Sequence, residues 1–543
     1  MTASVLLSAA AVAAQGTSRW VWLDANGRLQ YGTDARANRI MDFSHAGYSG
    51  GGVRIPDVRV ARTVRPTPGD NTASIQAAVD EVAARPPDAH GFRGAVLLER
   101  GMYDIGGPLR IAASGVVLRG SGSGKNDTVL RVSGAPHRVL DIGGSGTWQP
   151  EGAPATVTDG YVPAGADTVT VDSAAAFRVG DPVVIRRAVT KAWIHFMGMD
   201  TLVRDGKPQT WLKPGTIITT DRVIKSIDGP SSLRESQGRP ERGRSATDPG
   251  PSRARSRDGS RITFDVPLSD SLDAAYLNPP GTTVVKYTFP GRIEQVGVES
   301  LRVTVPAQDK PISEAQYTLL RMNAVSDGWV RDVVSVDTHN STTFGSTVRR
   351  VTIDDVHIQH TVPFTAAAAP ADFAISGTQI LLHRSSVTGQ GVWPVVTQVG
   401  VTGPNIVLDF KSTTAGIAPH QRWATGLLVD SSEFTGGTDR RPNIAFANRE
   451  HAGSGHGWSV GWAVAWNVKA EVLLIQQPPG SKNWCIGCTG RFTPMLWHGN
   501  RIPIPESPSE THESPGMPVA PASLYLAQLR DRLGETALTS IGR

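Results

Sequence analysis

From Ile293 to Gly490 the chain keeps returning to the same kind of text: a short apolar or alternating run, a turn residue, and another short run. The runs are VGVESLRVTV, GWVRDVVSVDT, VRRVTIDDVHI, TQILLHRSSVTG, PNIVLDFKS, TGLLVDSSEFTG, VAWNVKAEVLLIQQ and NWCIGCTG. Their spacing is close to one rung, or part of one, of a coil that repeats every ~20 to 30 residues. One run cannot bury its own apolar face, so the pattern demands that rungs stack and that a cap close the stack. With 58 glycines, 38 prolines and few long helix-type patterns in 543 residues, the composition points to an all-β chain of short strands and tight turns.

The upstream text supplies the cap. Trp20 to Tyr31 (WVWLDANGRLQY) alternates and turns at Asn26-Gly27, which predicts a hairpin. In PTPGDNTASIQAAVDEVAA, Asp70 or Asn71 stands at a helix-cap position, and Ile75, Ala78, Val79 and Val82 form one apolar face. The order GDNTASIQAAVDEV, GAVLLERGMYDIGGPLRI, SGVVLRGSG resembles the opening of the pectate-lyase-like superfamily, closely over about 42 to 132 and loosely beyond. The resemblance implies a right-handed parallel β-helix whose open end is covered by an N-terminal capping helix. It implies no single reaction, because this solenoid carries lyases, hydrolases, epimerases and phage tailspikes.

The expected organisation has five parts. Residues 1–15, a short apolar run ending in Ala-Val-Ala, read as a signal peptide, which places the protein in a secreted or periplasmic setting. Residues 16–156 form the cap and first rungs, and 157–286 read as an inserted small β-barrel-like domain with an Arg-rich disordered loop at 229–261. The main rungs and an active-site groove occupy 287–504, and 505–543 hold a Pro/Ser-rich linker and a C-terminal helix with a Leu524, Leu526, Leu529, Leu533 stripe. The Arg-rich loop carries eight arginines against four acids, hence +4 of the net +5, so the body is nearly neutral and gives no reason to expect a nucleic-acid partner. No apolar run reaches the ~18 residues of a membrane span.

Histidine and tryptophan concentrate late: seven of 13 histidines lie between His339 and His456, and seven of 13 tryptophans between Trp393 and Trp497. Imidazole transfers protons near neutrality and indole faces stack on sugar rings. In HQRW, His420 and Arg422 are two apart and would share a strand face. Arginine there can hold a uronate carboxylate while neutral imidazole removes the C5 proton, which suits β-elimination of an acidic polysaccharide. The Gly-rich NREHAGSGHGW segment adds Arg449, Glu450, His451, His456 and Trp458. Trp423 and Trp458 are expected to stack on sugar. Trp193, Asp200 and Arg204, in KAWIHFMGMDTLVRDGKPQTW, are expected to reach over the groove as a lid.

A glycoside hydrolase on the same coil is the alternative. It needs two facing carboxylates, drawn from Asp354, Asp355, Asp409, Asp430 or Glu450, but these form no marked cluster. A non-catalytic glycan-binding solenoid is the third reading. Calcium is a family route to neutralising a uronate, but the sequence has no Asp-rich run to support it, so no cofactor is expected. Cys485-x-x-Cys488 is half a zinc pattern, and its simplest reading is a pair of stacked buried thiols.

Overall fold

The computed structural model describes residues 16–229, 259–366, 368–493 and 511–543. The expected signal peptide, most of the Arg-rich loop and the start of the linker lie outside these residues.

Three parallel sheets wind around one aliphatic core. The first runs from Val60–Val64 through Gly94–Leu98, Val116–Arg119, Ile293–Thr304, Val325–Val336, Arg349–Gln359, Thr378–His383, Thr402–Leu408, Ala424–Asp430, Val464–Trp466 and Trp484–Ile486. The second stacks Gly101–Ile105, Thr128–Val132, the far halves of the three long strands, Ser386–Thr388, Lys411–Ser412 and Glu433–Phe434. The third stacks Leu109–Ile111, Arg138–Gly143, Thr318–Asn323, Thr342–Phe344, Ala371–Ile375 and Trp393–Thr397. It continues through bridges at Ile417 to Ile444–Phe446 and Lys469–Ile475. The chain is thus mostly β and coils as a parallel β-helix, in the order the rung-like runs predict.

The interior is built by register. Val298, Val330, Ile353, Leu382, Val407, Val429, Ala465 and Cys485 pair in sequence across the first sheet, each at most 1% exposed. Cys485 therefore occupies a core position. Both cysteines are free and buried, and Cys485 is pushed well above the ordinary thiol range by hydrogen bonding to Cys488 and by burial. Between the first and second sheets the chain turns on single left-handed residues: Asp332 at φ 50, Asp355 at 57, Arg384 at 48, Asp409 at 50, Ser431 at 47 and Asn467 at 49. Asp and Asn tolerate this backbone better than most side chains, so a long strand can bend there and continue on the next sheet.

The helix Thr72–Ala83 buries Ile75, Ala78, Val79 and Val82 in the solenoid core, the face the sequence predicts. Asp70 Oδ1 accepts from the Thr72 N–H at 2.9 Å, whereas Asn71 makes no side-chain cap to the helix. The hairpin Val21–Leu23 with Leu29–Tyr31 turns at Gly27, φ 72. It packs with Leu524–Leu533 over the outward face of the first sheet, around Leu381, Ile406, Leu428, Val464 and Trp484. The helix buries Leu524, Tyr525, Ala527, Gln528 and Leu529, while Leu533 stays 46% exposed, so the predicted leucine stripe is corrected to a face centred on Tyr525 and Leu529.

Between Gly143 and Ile293 the chain leaves the third sheet and forms a six-stranded antiparallel sheet from Gln149–Thr156, Thr282–Thr288, Pro182–Ala188, Ile217–Asp228, Ser260–Phe264 and Thr168–Val171. An antiparallel bridge, Val157 to Val171, joins its two outer members. The first strand, QPEGAPAT, is almost wholly exposed and carries no apolar alternation. Buried Arg222 ties this sheet to the coil, donating to the carbonyls of Val266, Pro267 and Gly403.

Candidate functional site

The insertion leaves the coil at the corner that joins the third sheet to the first. The same corner, further along the axis, holds residues 418–423 and 447–459. Here the predicted strand face fails: His420, Gln421 and Arg422 lie in a turn before Ala424–Asp430, with φ 54 at Arg422 and 66 at Trp423. Pro419 restricts its predecessor and the left-handed pair reverses the chain, so alternation does not decide the side-chain directions. In the Gly-rich segment, Gly455 and Gly457 have φ 85 and 54, and a Cβ on Gly457 would meet Trp211 Cδ1 at 2.4 Å. Glycine is needed there because the insertion lies directly against this backbone.

The turn and the Gly-rich segment still assemble the predicted polar residues. The His420 and His456 rings meet edge to face at 4.7 Å. The Arg422 N–H donates to the His456 carbonyl at 3.0 Å, and Arg422 Nη2 donates to Ser454 Oγ at 2.6 Å. Arg449 Nη1 donates to the His420 carbonyl at 2.7 Å. Glu450 and His451 stand half-buried next to Arg449, Nδ1 of His451 lying 3.9 Å from the Glu450 carboxylate. His420 Nδ1 lies 3.1 Å from Gln398 Oε1, so the hydrogen-bonded tautomer carries its proton on Nδ1 and presents the Nε2 lone pair. Burial, then the charges of Arg449 and Arg422, push His420 down to about 4, and burial pulls Arg449 down to about 10. At neutral pH the site therefore holds a neutral imidazole between guanidinium groups, a base in the presence of fixed positive charge.

The stacking residues are corrected. Trp423 is 2% exposed and donates its indole N–H to Asp270 at 2.8 Å. Trp458 is 9% exposed and donates to the Met197 carbonyl, and Trp193 is 5% exposed, wedged against Trp211 and Trp423. All three belong to the core between insertion and coil, so none offers a free ring face at the candidate site. Of the expected lid residues, Trp193 is thus buried and only the other two are on the outside: Asp200 pairs with exposed His195 at 2.6 Å. Arg204, in the hairpin Val203–Arg204 with Lys207–Pro208, donates to the Gly453 carbonyl at 2.7 Å, which brings it to the rim of the Gly-rich segment.

The carboxylates separate. Asp430 is buried beneath the C-terminal helix, accepting from Ser523 Oγ and the Tyr525 N–H, and burial pushes it up to about 6. Asp354 is bound by Arg384 and His383, and Asp355 by His357. A feature the sequence reading passed over lies at the opposite corner: a groove of about 580 Å³ lined by Asp409, Lys411, Glu433, Lys469 and Thr489, with residues 518–522 as its wall. Lys411, Glu433, Lys469 and Thr489 are register partners, one per rung. That periodicity is the signal in the sequence that would have found them. Among the described residues no group of three or more His, Cys, Asp or Glu side chains is placed to hold a metal ion.

Neither a family model nor a curated protein matches the chain. Solved structures similar to it include the Gp54 tailspike of Acinetobacter baumannii bacteriophage AP22 in complex with A. baumannii capsular saccharide, at 8% identity and TM-score 0.28, covering 79% of this chain and 68% of that one. The gp61 tailspike of Pseudomonas phage phi297 overlaps at 10% identity and TM-score 0.26, covering 78% and 75%. The gp49 tailspike of Pseudomonas phage LKA1 does so at 11% and 0.25, covering 78% and 71%. Overlap at this level assigns no activity and no residue correspondence.

Proposed function

We propose that the protein is a carbohydrate-active β-helix that cleaves an acidic polysaccharide by β-elimination at the His420 corner. The observation that carries this reading is the neutral His420 imidazole, held at about 4 with Nε2 presented and with Arg449 and Arg422 beside it. In the proposed reaction His420 Nε2 takes the C5 proton of a uronate. Positive charge from Arg422 and Arg449 stabilises the enolate that forms, and His456 stands 4.7 Å from His420 to serve the leaving oxygen. The resemblance of the cap and first rungs to pectate-lyase-like proteins agrees with this class. Secretion follows from the reading of residues 1–15 and belongs to the same proposal.

The test is a digestion of a panel of uronate polysaccharides followed by ultraviolet absorbance of the unsaturated uronate and by product mass spectrometry. Absorbance that rises for the wild type and is lost in His420→Gln supports elimination. New reducing ends without that absorbance would turn attention to the second reading, a hydrolase, which Asp409 and Glu433 favour by lining one groove.

A further inference from the structure

The insertion and the coil enclose a space of about 30 Å³ walled by Trp193, Trp423 and Trp462. Arg187, 4% exposed, lines it with its guanidinium stacked over the Trp193 ring at 4.0 Å. Its Nε and Nη1 have no protein acceptor, and its partner carboxylate, Asp270, stands 3.8 Å from Nε. Asp270 is in turn fixed by two indole N–H groups, from Trp423 at 2.8 Å and Trp462 at 3.1 Å. Ser481, 9% exposed, lines the same space with an Oγ that has no partner.

An arginine keeps its charge at every physiological pH, and each buried donor left without an acceptor is destabilising. The space thus asks for a group that accepts from Arg187. Charge decides which one. Arg187 and Asp270 already neutralise each other, so an entering carboxylate would face the Asp270 carboxylate at close range. A hydroxyl both accepts and donates, and satisfies arginine and aspartate together. Size agrees: the space admits a hydroxyl or hydroxymethyl group and no ring. Outside it the half-buried rim of Tyr161, Phe196 and Tyr276 gives aromatic surface, Phe196 and Tyr276 being stacked at 4.0 Å.

We propose that this space is a saccharide subsite separate from the His420 corner, which receives the exocyclic hydroxymethyl group of a neutral sugar unit while the ring rests on the aromatic rim. The proposal rests on reading the protein as carbohydrate-active and adds a neutral sugar to the acidic one cleaved.

Binding to the full chain is followed by tryptophan fluorescence and saturation-transfer NMR, with galactose and glucose, their 6-deoxy forms and their uronates as probes. At least one hydroxymethyl sugar should bind, its 6-deoxy and uronate forms about tenfold or more weaker, one buried hydrogen-bonded group being worth about that factor. Arg187→Met should abolish the preference. The rim variant Phe196→Ala, which leaves the buried charges in place, should weaken binding severalfold, and His420→Gln should leave it unchanged. Equal or tighter uronate binding that persists in His420→Gln and is lost in Arg187→Met, no binding by any probe, or binding unaffected by both Arg187→Met and Phe196→Ala would overturn the proposal. Turnover of a polymer without sugar binding here would sink the subsite alone, and binding here without turnover of any polymer would sink the lyase reading alone.

Discussion

Replacing His420 by glutamine should change how stability depends on pH, and the size of the change follows from the site. An unfolded histidine titrates near 6.5, and in the folded chain burial and the neighbouring arginines hold His420 at about 4. Between those values the unfolded chain binds a proton that the native chain refuses. His420 therefore contributes stability that is full above pH 6.5 and is lost as pH falls toward 4. At ~1.4 kcal/mol per unit, the loss reaches about 3 kcal/mol at pH 4. The glutamine variant gives up the contact with Gln398 at every pH, worth about 1 kcal/mol, but has no proton to refuse. The variant should be the weaker protein at pH 7.5 and the stronger one at pH 4.5, as read by urea unfolding followed by tryptophan fluorescence. In parallel, a selectively labelled histidine spectrum should contain one imidazole with a midpoint near 4 that is absent from the variant. Parallel stability curves, or a missing resonance that had titrated near 6.5, would refute the electrostatic account of the site.

Asp430→Ala removes the acceptor for Ser523 Oγ and the Tyr525 N–H and should loosen Leu524–Leu533 by about 2–4 kcal/mol, seen as faster amide exchange in that helix. Gly457→Ala forces a Cβ at φ 54 into Trp211 and Met199, and should lower the unfolding midpoint and raise proteolysis between residues 191 and 211. Arg222→Met strips donors from three buried carbonyls, two in the insertion and that of Gly403 in the coil, and should cost about 3–5 kcal/mol, measured as loss of protection around Gly403.

The coil was legible because its strands are half of a period-two pattern repeated many times. Runs such as VRRVTIDDVHI announce both the inward Val351, Ile353, Val356 and Ile358 and the bend between them. The cap was legible for the same reason, one amphipathic helix with Ile75, Ala78, Val79 and Val82. QPEGAPAT was not, since an edge strand that buries only Ala155 leaves no apolar alternation. At the candidate site, residue types revealed the neighbourhood and failed on direction. Trp423 and Trp458 face the insertion because two left-handed residues and three glycines set the backbone, and because Asp270 and the Met197 carbonyl, distant in sequence, receive their indoles. Which way a tryptophan points in such a turn is decided by its partner, and the partner is not local.

The seal over the first sheet is made from the two most distant parts of the chain. Leu29 N–H reaches Asp531 across a separation of 502 residues, and Phe43 N–H reaches Gln528 across 485. At ~5–20 residues per second of synthesis, the hairpin waits roughly half a minute to a minute and a half for the helix that covers it. During that interval the outward faces of Leu381, Ile406, Leu428 and Trp484 emerge one rung after another with no roof. The coil can thus grow rung by rung while remaining adhesive along one flank, and Leu524–Leu533 closes that flank when it docks.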